Sequence, residues 1–102
     1  MKEFFALKDP QAWQKFMDLL KQAVIEDKLE EVLSMLLTIE ERNSLGLRVQ
    51  VIRLLLEKNL SQRDIQKVLN TSIATVTRGS NMLKTVNPEM LEWANNKLND
   101  KS

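Results

Sequence analysis

Between Ile39 and Glu57 the chain reads IEERNSLGLRVQVIRLLLE, and Leu45, Leu47, Val49, Val51, Ile52, Leu54, Leu55 and Leu56 fall on every side of the helix this stretch would form. A helix apolar all round has to be buried all round. A chain of 102 residues buries only about 60–70% of its extended surface on folding. One copy can hardly enclose such a helix, so the expected solution is a homodimer that shares it in a common core. Thr38-Ile39-Glu40-Glu41 supplies a capping box at its start, with the Thr38 hydroxyl placed for the Glu41 N–H and the Glu41 carboxylate placed to reach back. Lys58 and Asn59 are expected to end it.

The rest of the chain also reads as helix. Only two Gly and two Pro occur, and no β-branched or aromatic residues alternate as a strand requires. Asp9-Pro10 is an N-cap followed by a first-turn proline, and the helix it opens should run to about Glu26. Trp13, Phe16, Met17, Leu20 and Val24 form its stripe, widened by Leu19, Ala23 and Ile25. Leu29, Val32, Leu33 and Leu36 share one face of a short second helix. Asn87-Pro88 repeats the cap-and-proline signature for a last helix to about Leu98, with Glu89 and Glu92 at its positive end. Met90, Leu91, Trp93, Ala94 and Leu98 are available for packing, and the NDKS tail is expected to fray. A single helical domain follows, with residues 9–58 as dimerisation core and 87–99 as a C-terminal packing helix.

Residues 61–85 carry the most specific pattern. Ser61 is an N-cap with Asp64 three residues on, and Ile65, Val68 and Leu69 make one apolar face. Asn70 tolerates the left-handed conformation that stops a helix. Ser72 caps a second helix with Ile73, Val76 and Leu83 near one side. Helix, three-residue turn and helix is a helix-turn-helix, whose second helix lies in the DNA major groove while the first crosses the backbone. Charge agrees. The net charge is only +1, yet residues 48–84 hold seven basic against two acidic side chains, while residues 1–47 hold six against nine. A solvated basic face would explain the charge alone; its coincidence with the helix-turn-helix favours a phosphate backbone.

Catalysis is poorly provided for. The chain has no His, Cys or Tyr, its Ser and Thr lack an evident base, and helix capping accounts for the Glu40-Glu41 pair. There is no thiolate metal site, no phosphate loop around Gly79, and no apolar run of the roughly 18 residues a membrane span needs. The N-terminal MKEFFALKDP lacks a signal-peptide layout, and a cytoplasmic protein is the simplest fit. For DNA, Arg63 is placed to read guanine O6 and N7, with a plain surface charge as its alternative. Ile73, Ala74 and Thr77 could lie against base edges, or simply pack in the case of Ile73. Thr75, Ser80, Asn81 and Lys84 could donate to phosphates. Arg48 and Arg78, taken alone, could bind phosphate as well.

LTIEERNSLGLRVQVIRLLL, SQRDIQ and TVTRGSNMLK, in this order and spacing, resemble the bacterial tryptophan repressor family, and the resemblance extends from DPQAWQKFMDLLKQA to PEMLEWANNKL. It implies an all-α, six-helix intertwined homodimer with a helix-turn-helix in each subunit. It implies L-tryptophan as co-repressor, with no metal, and palindromic operators of tryptophan biosynthesis and transport genes as target. By position, Arg48 and Arg78 would sandwich the indole, and Arg78 would also meet the carboxylate. Gly79 would leave room for the ring and Ile52 would pack beside it. The carbonyls of Met35, Leu37 and Thr38 would receive the ammonium group. Arg63 would contact guanine, Ile73, Ala74 and Thr77 the bases largely through water, and Gln62, Thr75, Ser80, Asn81 and Lys84 the DNA backbone. Three positions depart from the family pattern. Met82 replaces a Ser near the ligand amino group, Gln66 replaces a Lys on the DNA face, and Asn70 replaces a turn Gly. Met82 keeps open a repressor that senses another amino acid or indole compound, and a helical dimerisation module that has lost DNA binding is the other alternative.

Overall fold

A computed structural model describes residues 7–99. The first residues of the stretch read as lacking a signal-peptide layout, and the end of the NDKS tail, lie outside the described residues. Among the described residues there are six helices and no strand: α1 Pro10–Ile25, α2 Leu29–Leu36, α3 Ile39–Glu57, α4 Gln62–Leu69, α5 Ile73–Leu83 and α6 Pro88–Leu98. None is long and apolar enough to cross a membrane. The helices form two compact units, one ending at Thr38 and one beginning at Ile39.

The first unit pairs α1 with α2. Asp9 caps α1 by accepting from the Ala12 N–H at 2.9 Å, ahead of Pro10. The helix stops where Asp27 turns left-handed at φ 58°. There the Lys28 N–H reaches the Ala23 carbonyl at 2.7 Å and the Asp27 N–H reaches Val24 at 3.3 Å, the paired bonds that close a helix C-terminus. Ala23 is buried and Phe16, Met17 and Leu20 are half-buried, whereas Trp13, Leu19, Val24 and Ile25 are exposed. Trp13 and Phe16 nevertheless pack against each other in a tilted arrangement, ring centres 5.3 Å apart and planes at 44°.

The second unit is built on α3, against which α4, α5 and α6 pack. Val51 and Leu54 of α3, Ile65 of α4 and Val76 of α5 form its buried centre, flanked by Leu47, Leu55 and Leu69. Within one chain, the apolar surround of α3 is only partly covered. Ile39, Leu45 and Val49 remain exposed, and Ile52, Leu55 and Leu56 are half-buried. Lys58 ends the helix with φ 63°. Side-chain caps then start each following helix: Ser61 accepts from Asp64 N–H at 3.1 Å, Ser72 from Thr75 N–H at 3.1 Å, and Asn87 from Met90 N–H at 2.8 Å. Asn70 adopts φ 52°, ψ 51°, and the Thr71 N–H donates back to the Gln66 carbonyl at 3.1 Å. Val68 departs from the expected apolar face. Ile65 and Leu69, four residues apart, turn inward, while Val68 is 64% exposed, because a helix of eight residues against one core uses a single narrow stripe. At the far end the Asn99 side-chain amide donates to the Arg53 carbonyl at 3.1 Å and to Asn95 at 2.7 Å, fastening α6 to α3.

Candidate functional site

Two helical stripes with the same spacing face each other across a cleft of about 130 Å³. From α3 come Ser44, Leu47, Arg48 and Val51; from α5 come Thr75, Arg78, Gly79 and Met82. Both sets run i, i+3, i+4, i+7, one face of a helix. Gly79 sets how closely the helices approach. A Cβ built there would stand 2.9 Å from Val51 Cγ1 and 3.6 Å from Leu55 Cδ1. The absence of a side chain at Gly79 therefore admits Val51 of α3 as well as opening the cleft. Arg48 and Arg78 are both exposed, and they line a wall that also offers three apolar side chains and two hydroxyls. A planar aromatic with a carboxylate matches that set: guanidinium faces stack on rings and their N–H forks pair with carboxylate oxygens. Among the described residues no group of acidic side chains is arranged to hold a metal ion.

The other side of α5 faces away. At 3.6 residues per turn, Ile73, Thr77, Ser80 and Lys84 lie roughly 180° round the helix from the cleft stripe, with Ala74 and Asn81 beside them. Ile73, Ala74, Thr77, Asn81 and Lys84 are exposed and Ser80 is half-buried. Ile73 is thus not taken up in packing: 48% of it is open to solvent. Side-chain hydrogen bonds order the start of α5 and this face. The Ser72 and Thr75 hydroxyls are 2.9 Å apart, Lys84 Nζ donates to Asn81 at 3.3 Å, and Thr77 Oγ1 donates to Gln62 Oε1 at 3.3 Å. Gln62, Arg63 and Lys67 are exposed at α4, and Gln66 is half-buried. The helix N-terminus at Ser61, where unpaired N–H groups favour anions, lies beside Gln62 and Arg63.

The residues anticipated for a ligand divide accordingly. Arg48, Arg78, Gly79 and Met82 come together in the cleft, and Thr75, assigned beforehand to a phosphate, joins them. Ile52 is not part of the lining; Val51, one position earlier, takes that place, since the stripe through Arg48 continues at i+3 and not at i+4. Ser44 and Leu47 were missed, although they stand four residues and one residue before Arg48 and the same periodicity would have named Ser44. Met35, Leu37 and Thr38 belong to the first unit, where Met35 is 70% exposed at the end of α2 and Leu37 is half-buried in extended backbone.

The family model for the Trp repressor protein matches residues 11–98. The chain belongs to the Trp repressor family. It is 49% identical over 87 residues to a Trp operon repressor homolog of Histophilus somni, covering 85% of this chain and 82% of that one. A Trp operon repressor homolog of Haemophilus influenzae is 51% identical over 81 residues, covering 79% and 80%. One of Pasteurella multocida is 47% identical over 90 residues, covering 88% of both. The six helices and the capped α4–turn–α5 unit agree with a Trp repressor family member.

Proposed function

We propose that the cleft between α3 and α5 holds L-tryptophan, and that two copies of the chain together present their α5 helices to a palindromic operator. Membership in the Trp repressor family makes the chain a tryptophan-responsive transcriptional repressor and not an enzyme. The observation that carries the finer reading is the double use of α5. One stripe of it walls the cleft, and the stripe roughly opposite is the exposed surface offered to DNA. A ligand wedged between α3 and α5 therefore acts directly on the pose of the reading helix, and differential affinity for two such poses is what couples ligand to DNA.

In this reading Arg48 and Arg78 hold the indole between their planes and Arg78 meets the carboxylate, with Gly79, Leu47 and Val51 as the apolar floor. The carbonyls of Met35, Leu37 and Thr38 receive the ammonium group, an assignment that rests on the family resemblance alone. Arg63 reads guanine; Ile73, Ala74 and Thr77 lie toward the bases. Gln62, Ser80, Asn81 and Lys84, with Gln66 nearby, meet the phosphate backbone, and Thr75 serves both sides. A homodimer is supported by the apolar surface that one chain leaves open on α3 at Ile39, Leu45 and Val49 and, within the first unit, at Trp13, Leu19, Val24 and Ile25. The two units are then parts of one domain completed by the second copy: residues 9–58 the dimerisation core, 61–85 the helix-turn-helix, 87–99 a packing helix. The targets are operators of tryptophan biosynthesis and transport genes, in the cytoplasm.

Met82 favours one variant of this reading, in which another amino acid or an indole compound is the effector, because it puts a thioether where a hydroxyl would greet an amino group. Binding to a palindromic trp-operator duplex, with and without L-tryptophan and at one fixed salt concentration, tests both. Tenfold tightening by tryptophan, about 1.4 kcal/mol of coupling, with none on a scrambled duplex, establishes the co-repressor mechanism. Specific binding that ignores tryptophan but responds to an indole analogue establishes the variant. No specific binding under either condition refutes both.

A further inference from the structure

A zwitterionic amino acid brings two charged groups, and the cleft between α3 and α5 provides for them unequally. Arg48 and Arg78 both line it, and a guanidinium donates hydrogen bonds but accepts none. The pair suits a carboxylate and an aromatic face and offers nothing to an ammonium group. Among the described residues that line the cleft none is acidic, and the thioether of Met82 is a weak acceptor. The lining side chains that accept well are therefore the hydroxyls of Ser44 and Thr75. Thr75 is already engaged at the start of α5: its hydroxyl is 2.9 Å from Ser72 Oγ, the atom that caps its own N–H. Ser44 stands exposed on the α3 wall, one helical turn before Arg48. Residues four apart on a helix are neighbours about 6 Å apart, and long side chains lean back toward the helix N-terminus. The Arg48 guanidinium and the Ser44 hydroxyl thus share one end of that wall. A carboxylate is bound more strongly by guanidinium forks than by a neutral hydroxyl, which leaves the hydroxyl to the amine. We infer that Ser44 is a specificity-determining residue of the ligand site. Its hydroxyl accepts from the ammonium group and so sets how strongly the cleft prefers an α-amino acid over the same aromatic acid without the amine. It adds a side-chain acceptor to the backbone carbonyls of the proposed reading. The inference rests on that reading, in which the cleft holds L-tryptophan.

The ratio of two affinities isolates this role. L-Tryptophan and indole-3-propionate share the indole and the carboxylate and differ in the amine. Calorimetric titration of each into the wild-type protein, Ser44→Ala and Ser44→Thr gives the ratio for every variant. Circular dichroism and the unfolding midpoint first show that each is folded, as substitutions at an exposed helical position should be. Ser44→Ala should weaken L-tryptophan by about tenfold, the low end for a hydrogen bond to a charged group, and leave indole-3-propionate within about twofold. Ser44→Thr keeps the hydroxyl, so it should retain the wild-type ratio even where its added methyl shifts both affinities together. A role in packing alone would move both ligands alike and leave the ratio unaltered. The proposal is overturned if Ser44→Ala weakens both ligands equally, which would assign the hydroxyl to the carboxylate or to packing. It is overturned as well if Ser44→Ala changes neither affinity, or if Ser44→Thr loses the ratio as alanine does. A wild type that fails to bind L-tryptophan would refute the underlying reading of the cleft, a result separable from all of these.

Discussion

Replacing Gly79 by Ala tests the closeness of α3 and α5 and makes a prediction that changes sign with its partner. Alanine is the better helix former by about 0.8–1.0 kcal/mol, so in an open position the substitution would stabilise the protein. Here the new Cβ would stand 2.9 Å from Val51 Cγ1, well inside ordinary carbon contact. Val51 cannot step aside. It is 1% exposed, and a β-branched side chain in a helix is held to one rotamer. The helices must therefore part by several tenths of an ångström, an overpacking penalty of about 1–3 kcal/mol. The net expectation is destabilisation by roughly 1 kcal/mol, with weaker tryptophan binding because the cleft floor has moved. In a Val51→Ala background the obstructing methyl is gone. Val51→Ala alone should cost about 2 kcal/mol from two lost methyl groups and the space they leave. Adding Gly79→Ala to it should then recover roughly 1 kcal/mol, from helix propensity and from the refilled space. The assay is urea unfolding of the four proteins at equal concentration, with the coupling taken from the double-mutant cycle. Stabilisation of the wild type by Gly79→Ala, or the same effect in both backgrounds, would refute the reasoning.

Arg48→Ala and Arg78→Ala should each weaken L-tryptophan binding tenfold or more in calorimetry while leaving the helical circular dichroism unchanged, since both side chains are exposed; an unaltered dissociation constant would remove that guanidinium from the ligand site. Met82→Ser, at a cleft position 47% exposed, should change ligand affinity without lowering the unfolding midpoint, again by calorimetry alongside denaturation. Ser72→Ala removes the cap on the Thr75 N–H and should cost about 1 kcal/mol, read by thermal unfolding. If the proposed homodimer forms through α3, Leu45→Glu, at an exposed position of that helix, should leave a monomer where the wild type sediments as a dimer; equal sedimentation coefficients would refute an interface at Leu45.

Local chemistry made much of this protein legible before any tertiary structure. Asp9-Pro10, Ser61, Ser72 and Asn87 each announce a helix start because the cap is a hydrogen bond spanning three residues, and such a bond is written within four consecutive letters. Asn70 announces the turn for the same reason: its left-handed conformation is a property of one residue. The order of α4, turn and α5 and the charge gathered around them were enough to indicate a helix-turn-helix, and the longer motifs around them carried the family resemblance from which the ligand class followed. The sequence by itself thus determined six helices, where they begin, and the helix-turn-helix pattern of residues 61–85. The tertiary structure decided what depends on the rotation of one helix against another. Periodicity allowed Ile65, Val68 and Leu69 to share a face, but packing on α3 takes Ile65 and Leu69 and leaves Val68 outside. It also decided that Val51 and not Ile52 lines the cleft, that Thr75 turns toward it, and that Gly79 is required by Val51. A helix offers several equivalent stripes to a partner, and only contact with that partner selects one. The bond between Thr77 and Gln62 belongs to the same class, for no local rule joins residues on two helices whose angle is set by a shared core.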